Sequence, residues 1–258
     1  MCLVVFAWKV HPDYRLILAA NRDEFYQRPS QPLQWWPDKP DLLAGRDLQA
    51  GGTWLAIGRN GRFATVTNYR EHQRKKPGLL SRGELVTDFV DGSSRAEHFA
   101  GSVEGQRYAG FSLLAADGDD LCYSSNRGDK PETLAPGVYG LSNASLDTPW
   151  AKVVRSRDGL QSLIQSGNVN ETSLVRLLGD RTAATVPDIE PGELPFDLAR
   201  ALTAPFIVSK EYGTRCTTTL MMSQSGEVSL SERRFDDKGE RSGESRFRFS
   251  AIEAQADR

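Results

Sequence analysis

The sequence contains few cysteines, and they lie far apart. Three occur among 258 residues, at positions 2, 122 and 216, and none belongs to a C-x-x-C pair. Disulfide-rich domains and structural zinc sites need clustered cysteines, so the spacing excludes both and is typical of a reducing compartment. The sequence also lacks the H-E-x-x-H and calcium-loop patterns, and we therefore predict no metal site.

The chain also lacks an excess of either charge and a long hydrophobic run. Its 32 basic and 34 acidic residues leave a formal charge of −2, which gives no field to hold nucleic acid. The first apolar run ends at Lys9 and His11, so it is too short to cross a bilayer and lacks the form of a secretion signal. We predict a cytoplasmic protein with no integral membrane segment, whose partner is a small-molecule ligand or substrate. The oligomeric state stays open.

Two β-hairpins are predicted in the first seventy residues. The runs "CLVVFAWKV" and "RLILAAN" flank the turn "HPDY", and "TWLAIGRNGRFATVTNYR" contains a second turn at Asn60-Gly61. Between the hairpins, residues 27–45 contain four prolines beside Trp35 and Trp36. This composition is incompatible with a central strand, so an ordered surface loop is predicted there.

Helix signals occur in separate blocks from the strand signals. Ser81 with Glu84 forms a capping box, Pro149 precedes "WAKVVRSRDGLQSLIQ", and Asn170 precedes "ETSLVRLLGD". Further strand-like runs follow, and the last two join around Ser225-Gly226. This order favours antiparallel sheets covered by helices over a doubly wound parallel sheet. We predict one α+β domain over residues 1–258.

The position of Cys2 directly after Met1 would allow its thiol to act as a nucleophile. Removal of Met1 would leave Cys2 as the chain terminus, with a thiol and a free α-amine on one residue. The α-amine has an ordinary pKa of roughly 7.7–8.0, so it could act as the base for its own thiol. The alternative is a small buried hydrophobic residue at the start of a strand.

The segment "NRDE" ends the second strand of the first hairpin. Alternation places Asn21 and Asp23 on one face and Arg22 and Glu24 on the other. Because the end of this strand returns to the start of the first, Asp23 can approach the amine of Cys2 and hold it by a charge-assisted hydrogen bond. The alternative is an ordinary surface salt-bridge cluster.

Other strand ends carry polar groups suited to acyl transfer. Asn68 with Tyr69 ends one strand and Asn143 ends another, and amide donors converging on a thiol would form an oxyanion hole. Arg215 precedes an apolar strand, where its guanidinium group could bind a carboxylate or phosphate through two hydrogen bonds. The alternatives are turn-closing asparagines and an edge arginine.

The motifs together resemble the NRDE family, also called the transport and Golgi organisation 2 family. The resemblance covers nearly the whole chain and rests on an ordered set of motifs. These are "MC" at the start, "NRDE" at 21–24, "GGTW" at 51–54, "TNYR" at 67–70, "SRGxLV" at 81–86, "YGLSN" at 139–143 and "YGTRCTT" at 212–218.

That family is similar to the N-terminal nucleophile hydrolases, which have a four-layer αββα fold, and among them to penicillin V acylase and bile salt hydrolase. The resemblance implies that Cys2 is the nucleophile, Asp23 orients the terminal amine, Asn68 supplies the oxyanion-hole amide and Asn143 is a second asparagine on the substrate side. In one departure, those hydrolases carry an arginine where this chain has Ala20. The nearby Arg22 is turned by alternation to the face opposite Asp23, so the implied catalytic set is incomplete.

Two functions follow as predictions. The first is cleavage of a small amide or thioester by Cys2. The second, which Ala20 favours, is a non-catalytic carrier of haem, acyl-CoA or a lipid-like ligand, with no resident cofactor and haem only as cargo. In either case the predicted ligand-binding residues are Asn21, Arg22, Glu24, Tyr69, Arg70 and Arg215.

Three further features of the sequence bear on these functions. The histidines, His11, His72 and His98, occur in no ligand motif. The basic run at 70–78 is either a flap over the site or a solvated loop. A third prediction is an interaction protein that docks through Trp35 and Trp36; the alternative is that the two rings cap the core.

Overall fold

The computed structural model describes residues 2–71, 78–118, 120–185 and 194–251. Within these residues the chain forms two β-sheets and five α-helices. The strands are β1 Cys2–Trp8, β2 Tyr14–Phe25, β3 Ser30–Trp36, β4 Lys39–Asp47, β5 Leu55–Gly58, β6 Phe63–Asn68, β7 Phe111–Asp117, β8 Asp120–Ser125, β9 Glu132–Thr133, β10 Gly137–Leu141, β11 Tyr212–Ser223, β12 Glu227–Phe235 and β13 Arg241–Ser250. The helices are α1 Arg82–Asp91, α2 Ala96–Ser102, α3 Ala151–Gln165, α4 Glu171–Leu178 and α5 Phe196–Ala201.

Both sheets pair antiparallel throughout their ladders. The six-stranded sheet has the order β10-β1-β2-β11-β12-β13, and the seven-stranded sheet runs from β3 to β9 in chain order. The two predicted hairpins are confirmed as β1–β2 and β5–β6. In the second, Gly61 has a φ of +77°, which glycine adopts without steric strain.

Alternating residues of β1 and β2 divide the core into layers. Even-numbered residues such as Val4 and Phe6 pack between the sheets, and odd-numbered residues such as Leu3 and Val5 pack beneath α3 and α4. A third cluster joins the outer face of the seven-stranded sheet to α1 and α2. The order is helix, sheet, sheet, helix, so the predicted four-layer α+β architecture is confirmed.

The predicted surface loop at residues 27–45 is wrong, because β3 and β4 pair there. Pro32 is accommodated because β3 is an edge strand and Pro32 lies at an irregularity in its ladder. Buried Glu232 of β12 accepts a hydrogen bond from the backbone N–H of Leu33 at 3.0 Å. This contact fixes the edge strand to the opposite sheet.

The paired tryptophans belong to the core rather than to a docking patch, so the third prediction is wrong. Trp36 is 2% exposed and donates its indole N–H to the Ala44 carbonyl at 3.1 Å. Trp35 packs edge-on against Phe247 and Phe249 of β13, a strand that the polar composition of the C-terminal segment did not predict. Trp35 and the two phenylalanines thus pack against the core between the sheets, whereas Trp36 belongs to the cluster on the outer face of the seven-stranded sheet.

The predicted helix starts agree with the structure in two cases. Ser81 caps α1 by accepting from the Gly83 N–H, and Asn170 caps α4 by accepting from the Ser173 N–H. The reciprocal capping partner is Ser173 in α4, whereas the bond from Glu84 predicted for α1 is not formed. Of the helices described, none is both long and apolar enough to span a bilayer.

Candidate functional site

A cavity of about 620 Å³ opens where the start of β1 meets the ends of β2 and β6. The first turn of α1 and residues of α5 complete its wall. The lining residues that bear on function are Cys2, Arg22, Asp23, Glu24, Arg28, Asp47, Gly52, Trp54, Asn68, Ser81, Arg82, Gly83 and Leu198. Three of the four residues that resemblance assigned to catalysis therefore share one cavity.

Cys2 is half-buried at the first position of β1 and pairs in register with Arg22 of β2. Cross-strand partners project to the same face, so the thiol and the guanidinium lie side by side. The Ser142 hydroxyl donates to the Cys2 carbonyl at 2.7 Å and fixes the start of the strand. Burial raises the pKa of the Cys2 thiol, and the charge of Asp23 raises it further. The thiol is protonated at neutral pH and needs a base to become a nucleophile.

Asp23 is 2% exposed on the opposite face of β2, at its end. The Thr214 hydroxyl donates to its Oδ1 at 2.7 Å, and the Tyr212 hydroxyl donates to its backbone carbonyl at 2.8 Å. Burial raises the pKa of Asp23, and the charges of Lys152 and Arg22 lower it. Because Asp23 also lines the cavity, its carboxylate is fixed at the end of the strand that carries Arg22 next to Cys2.

Positively and negatively charged side chains alternate along the cavity wall beside Cys2. Arg22 lies with its guanidinium carbon 4.2 Å from the ring centroid of Trp54 and its Nη2 3.8 Å from Asp47 Oδ2. Arg28 binds the same carboxylate oxygen at 2.7 Å and lies 3.8 Å from Glu24. Stacking and ion pairing hold the two arginines in place, so their positive charge faces the cavity in a fixed geometry.

The motif "GGTW" forms the floor beneath the N-terminus of α1. A Cβ at Gly52 would lie 2.5 Å from the Gly83 carbonyl carbon, and a Cβ at Gly83 would lie 2.8 Å from the Thr53 nitrogen. Two backbones therefore touch where only glycine fits. The contact brings Ser81 and Arg82 to the cavity. Burial lowers the pKa of Arg82, and an ionised Cys2 sulfur would raise it.

Asn68 and Asn143 lie together but differ in their exposure to the cavity. Asn68 ends β6 and lines the cavity with its side chain half-buried. Asn143 is 1% exposed, donates its amide to the Asn68 carbonyl at 2.7 Å and accepts from the Ser142 hydroxyl at 3.2 Å. Asn143 thus links the strand end that holds Asn68 to the segment after β10, and it is not among the lining residues.

Four of the predicted ligand-binding residues lie outside the cavity lining. Asn21 donates to the carbonyls of Leu178 and Pro205 at 2.9 and 2.8 Å. Arg215 is the extra residue of a β-bulge, and its Nη1 donates to three carbonyls of the turn after β2, at 2.9, 3.0 and 3.2 Å. The backbone N–H groups of Tyr69 and Arg70 donate hydrogen bonds to carbonyl groups that are close in space but distant in sequence. Arg22 and Glu24 do line the cavity.

Three structural features were not predicted from the sequence. Lys152 is 1% exposed in α3 although its charge acts on Asp23, and lysine in a helical pattern gives no signal of burial. Trp54 and Gly52 belong to the quoted "GGTW" motif, but the motif alone does not indicate stacking or backbone contact. Most of the basic run at 70–78, including His72, lies outside the described residues.

In the described part of the chain, no group of three or more histidine, cysteine, aspartate or glutamate side chains converges to form a metal site. His11 accepts from the Asp13 N–H in the first turn and His98 is exposed on α2, and neither lines the cavity. All three cysteines are free thiols.

Comparison with solved structures gives the fold a precedent. A mutant conjugated bile acid hydrolase from Clostridium perfringens superposes with a TM-score of 0.52, covering 98% of this chain and 98% of that one at 8% identity. The likeness supports the N-terminal nucleophile hydrolase-like fold and, at this identity, the fold alone.

Comparison with curated sequences gives closer relatives. The human Transport and Golgi organization protein 2 homolog is 39% identical over 261 residues, which cover 92% of this chain and 94% of the relative. The mouse homolog is 37% identical with the same coverage. The family description Transport and Golgi organisation 2 matches residues 1–237. The chain therefore belongs to the Transport and Golgi organisation 2 family.

Proposed function

We propose that this protein is an N-terminal nucleophile hydrolase that cleaves a small amide or thioester through Cys2. The observation that supports the proposal most directly is the meeting of Cys2, Asp23 and Asn68 around one cavity. A thiol, a carboxylate and an amide donor around one cavity are groups that acyl transfer can use.

The reaction begins after removal of Met1. The Cys2 sulfur attacks the substrate carbonyl carbon while the α-amine of Cys2 accepts the thiol proton. Asn68 donates its side-chain amide to the oxyanion that forms. The amine then returns the proton to the leaving nitrogen or sulfur, the scissile bond breaks, and a thioester links the acyl group to Cys2. Water, deprotonated by the same amine, releases the acid and restores the thiol.

The electrostatics of the site support an amine base. A thiol whose pKa is raised by burial holds its proton at neutral pH, so a preformed thiolate is disfavoured. The α-amine lies on the same residue and has an ordinary pKa of roughly 7.7–8.0, which suits proton transfer at that pH.

Intact-mass spectrometry tests this proposal. The protein is incubated with a panel of amide and thioester substrates that includes a conjugated bile acid, the substrate named for the structural neighbour. We expect loss of Met1 and a transient acyl adduct on Cys2. The adduct is expected to disappear in Cys2→Ala and to persist in the matched variant Cys122→Ala, since Cys122 is buried in the outer core. Retained Met1, or an adduct that survives in Cys2→Ala, would contradict the proposed mechanism.

The second candidate function is a carrier of haem, acyl-CoA or another amphipathic ligand. It is favoured by the mixed wall of the cavity, where Leu79 and Leu198 lie near the cations Arg28 and Arg82. Such a wall suits an apolar body with an acidic head group. Haem titration of the wild type and Cys2→Ala tests this function by absorbance. A carrier would show saturable binding without turnover, and the absence of a Soret shift would reject haem as cargo.

A further inference from the structure

Lys152 is a fully buried lysine on the helix that covers β1. It is the second residue of α3, which packs on β1 and β10, and its side chain is 1% exposed. An ammonium group in a protein core is unfavourable unless a nearby negative charge compensates it. The fold therefore needs an anionic partner for Lys152.

The candidate for that partner is Asp23. The odd-numbered residues of β2 project to the side of the sheet that the helices cover, and Asp23 continues the row after Asn21, which binds the end of α4. Asp23 is itself 2% exposed; burial raises the pKa of its carboxyl, and the charge of Lys152 lowers it. Two buried residues of opposite charge type thus lie on the helix-covered side of the six-stranded sheet.

We propose that Lys152 is a positioning residue, whose ammonium pairs with the Asp23 carboxylate so that Asp23 orients the α-amine of Cys2 without protonating it. The inference rests on the proposed function. An isolated carboxylate beside an amine stabilises the ammonium form and removes the base. A second cation on the same carboxylate offsets that effect, so the amine keeps its lone pair near neutral pH.

Other charged groups act on the same site from the remaining elements. Arg22 approaches Asp23 and Cys2 from β2, and Arg82 approaches Cys2 from α1. On β11, Thr214 contributes an uncharged hydroxyl to Asp23. These groups stay constant when Lys152 alone is changed, so a shift in pH dependence reports on the Lys152 charge.

The decisive variant is Lys152→Met, which removes the charge and keeps much of the length. In the plot of kcat/KM against pH, the acid limb is expected to move to a pH about one unit higher. At a pH below that limb, kcat/KM is then expected to fall about tenfold. Lys152→Arg should restore the limb. Ser156→Ala is the matched control, since Ser156 is buried one turn further along α3 and carries no charge. An equal loss at every pH, with the limb unmoved, would overturn the proposal.

A second measurement separates this inference from the proposed function. If the wild type forms no acyl adduct, the hydrolase proposal fails, but the pairing is still tested by unfolding Asp23→Asn, Lys152→Met and the double variant in denaturant. Coupled charges predict that the double variant is less destabilised than the two single variants summed. Strict additivity would show that the charges do not interact and would overturn the inference.

Discussion

Replacement of Asn143 by alanine tests whether this residue links the sheets or contacts substrate. In the structure its Nδ2 donates to the Asn68 carbonyl at 2.7 Å, and its Oδ1 accepts from Ser142 at 3.2 Å. The side chain is 1% exposed, and its backbone carbonyl accepts from the Arg70 N–H at 2.7 Å. We expect Asn143→Ala to loosen the strand end on which Asn68 lies.

The magnitude follows from the bonds that are lost. The substitution leaves the Asn68 carbonyl without this donor, and an unsatisfied buried polar group costs about 1–3 kcal/mol. For a chain of this size a loss of about 2 kcal/mol lowers the midpoint of thermal unfolding by roughly 4–8 °C. Because Asn68 is the proposed oxyanion donor, its displacement should also lower kcat, by up to the factor of about 10²–10³ expected when one such donor is removed.

Circular dichroism during heating and steady-state kinetics together provide the assay. Asn126→Ala is the matched control, because Asn126 also binds backbone carbonyls, those of Gly105, Tyr108 and Ala109, and does not itself line the cavity. The control should lose comparable stability and keep kcat. Unfolding of Asn143→Ala that matches the wild type within about 0.5 kcal/mol, combined with a raised KM, would refute the linking role and favour the substrate contact.

Two further predictions concern packing and thiol chemistry. Gly52→Ala should destabilise the protein by about 1–3 kcal/mol in denaturant titration, because its Cβ would meet the Gly83 backbone at 2.5 Å, whereas Gly101→Ala, with no atom within 4 Å, should not. Equal effects would refute the close contact. Native alkylation should label Cys2 before Cys122, at a rate that rises with pH, because burial raises the pKa of Cys122 to about 11. Peptide mapping that finds Cys122 labelled first would contradict this.

Local turn chemistry made the hairpins predictable. The turn at Asn60-Gly61 needs only neighbouring residues, and the strands on either side contain their own alternating apolar pattern. The same holds for Asn170, which caps the helix that immediately follows it. Where a structure is decided within a few residues, the sequence is sufficient.

Long-range pairing explains the misassigned strands. β3 is stabilised by Trp35 against Phe247 and Phe249 and by the bond from Leu33 to Glu232, partners about 200 residues away. The prolines of this segment lower its local strand propensity, and local propensity does not include the effect of those distant partners. The strand β13 was missed for the same reason, since its polar residues alternate with the rings that face Trp35.

The candidate site shows the same division between local and distant information. Strand ends bring Cys2, Asp23 and Asn68 to one cavity. Hairpin geometry predicts the approach of Asp23 to Cys2, whereas the role of Asn68 is implied by the family resemblance. Asn21 and Arg215 were predicted to bind ligand because they are polar and near the site. Their side chains instead donate to backbone carbonyls, and Asn21 reaches residues more than 150 positions away. Residue type alone does not distinguish a side chain that binds a ligand from one that binds the backbone.

Position 20 bears on the choice between the two proposed functions. Ala20 pairs with Val4 and Arg22 pairs with Cys2, so both side chains of β2 project to the face that carries the thiol. The arginine that the resemblance leads us to expect at position 20 is thus replaced by a cation two residues along the same face. Its guanidinium already lies over Trp54 and 3.8 Å from Asp47, so a substrate anion must compete with that ion pair. Under the proposed hydrolase function, the departure would change which substrate is held and would leave proton transfer unaltered, because the proposed base is the amine of Cys2.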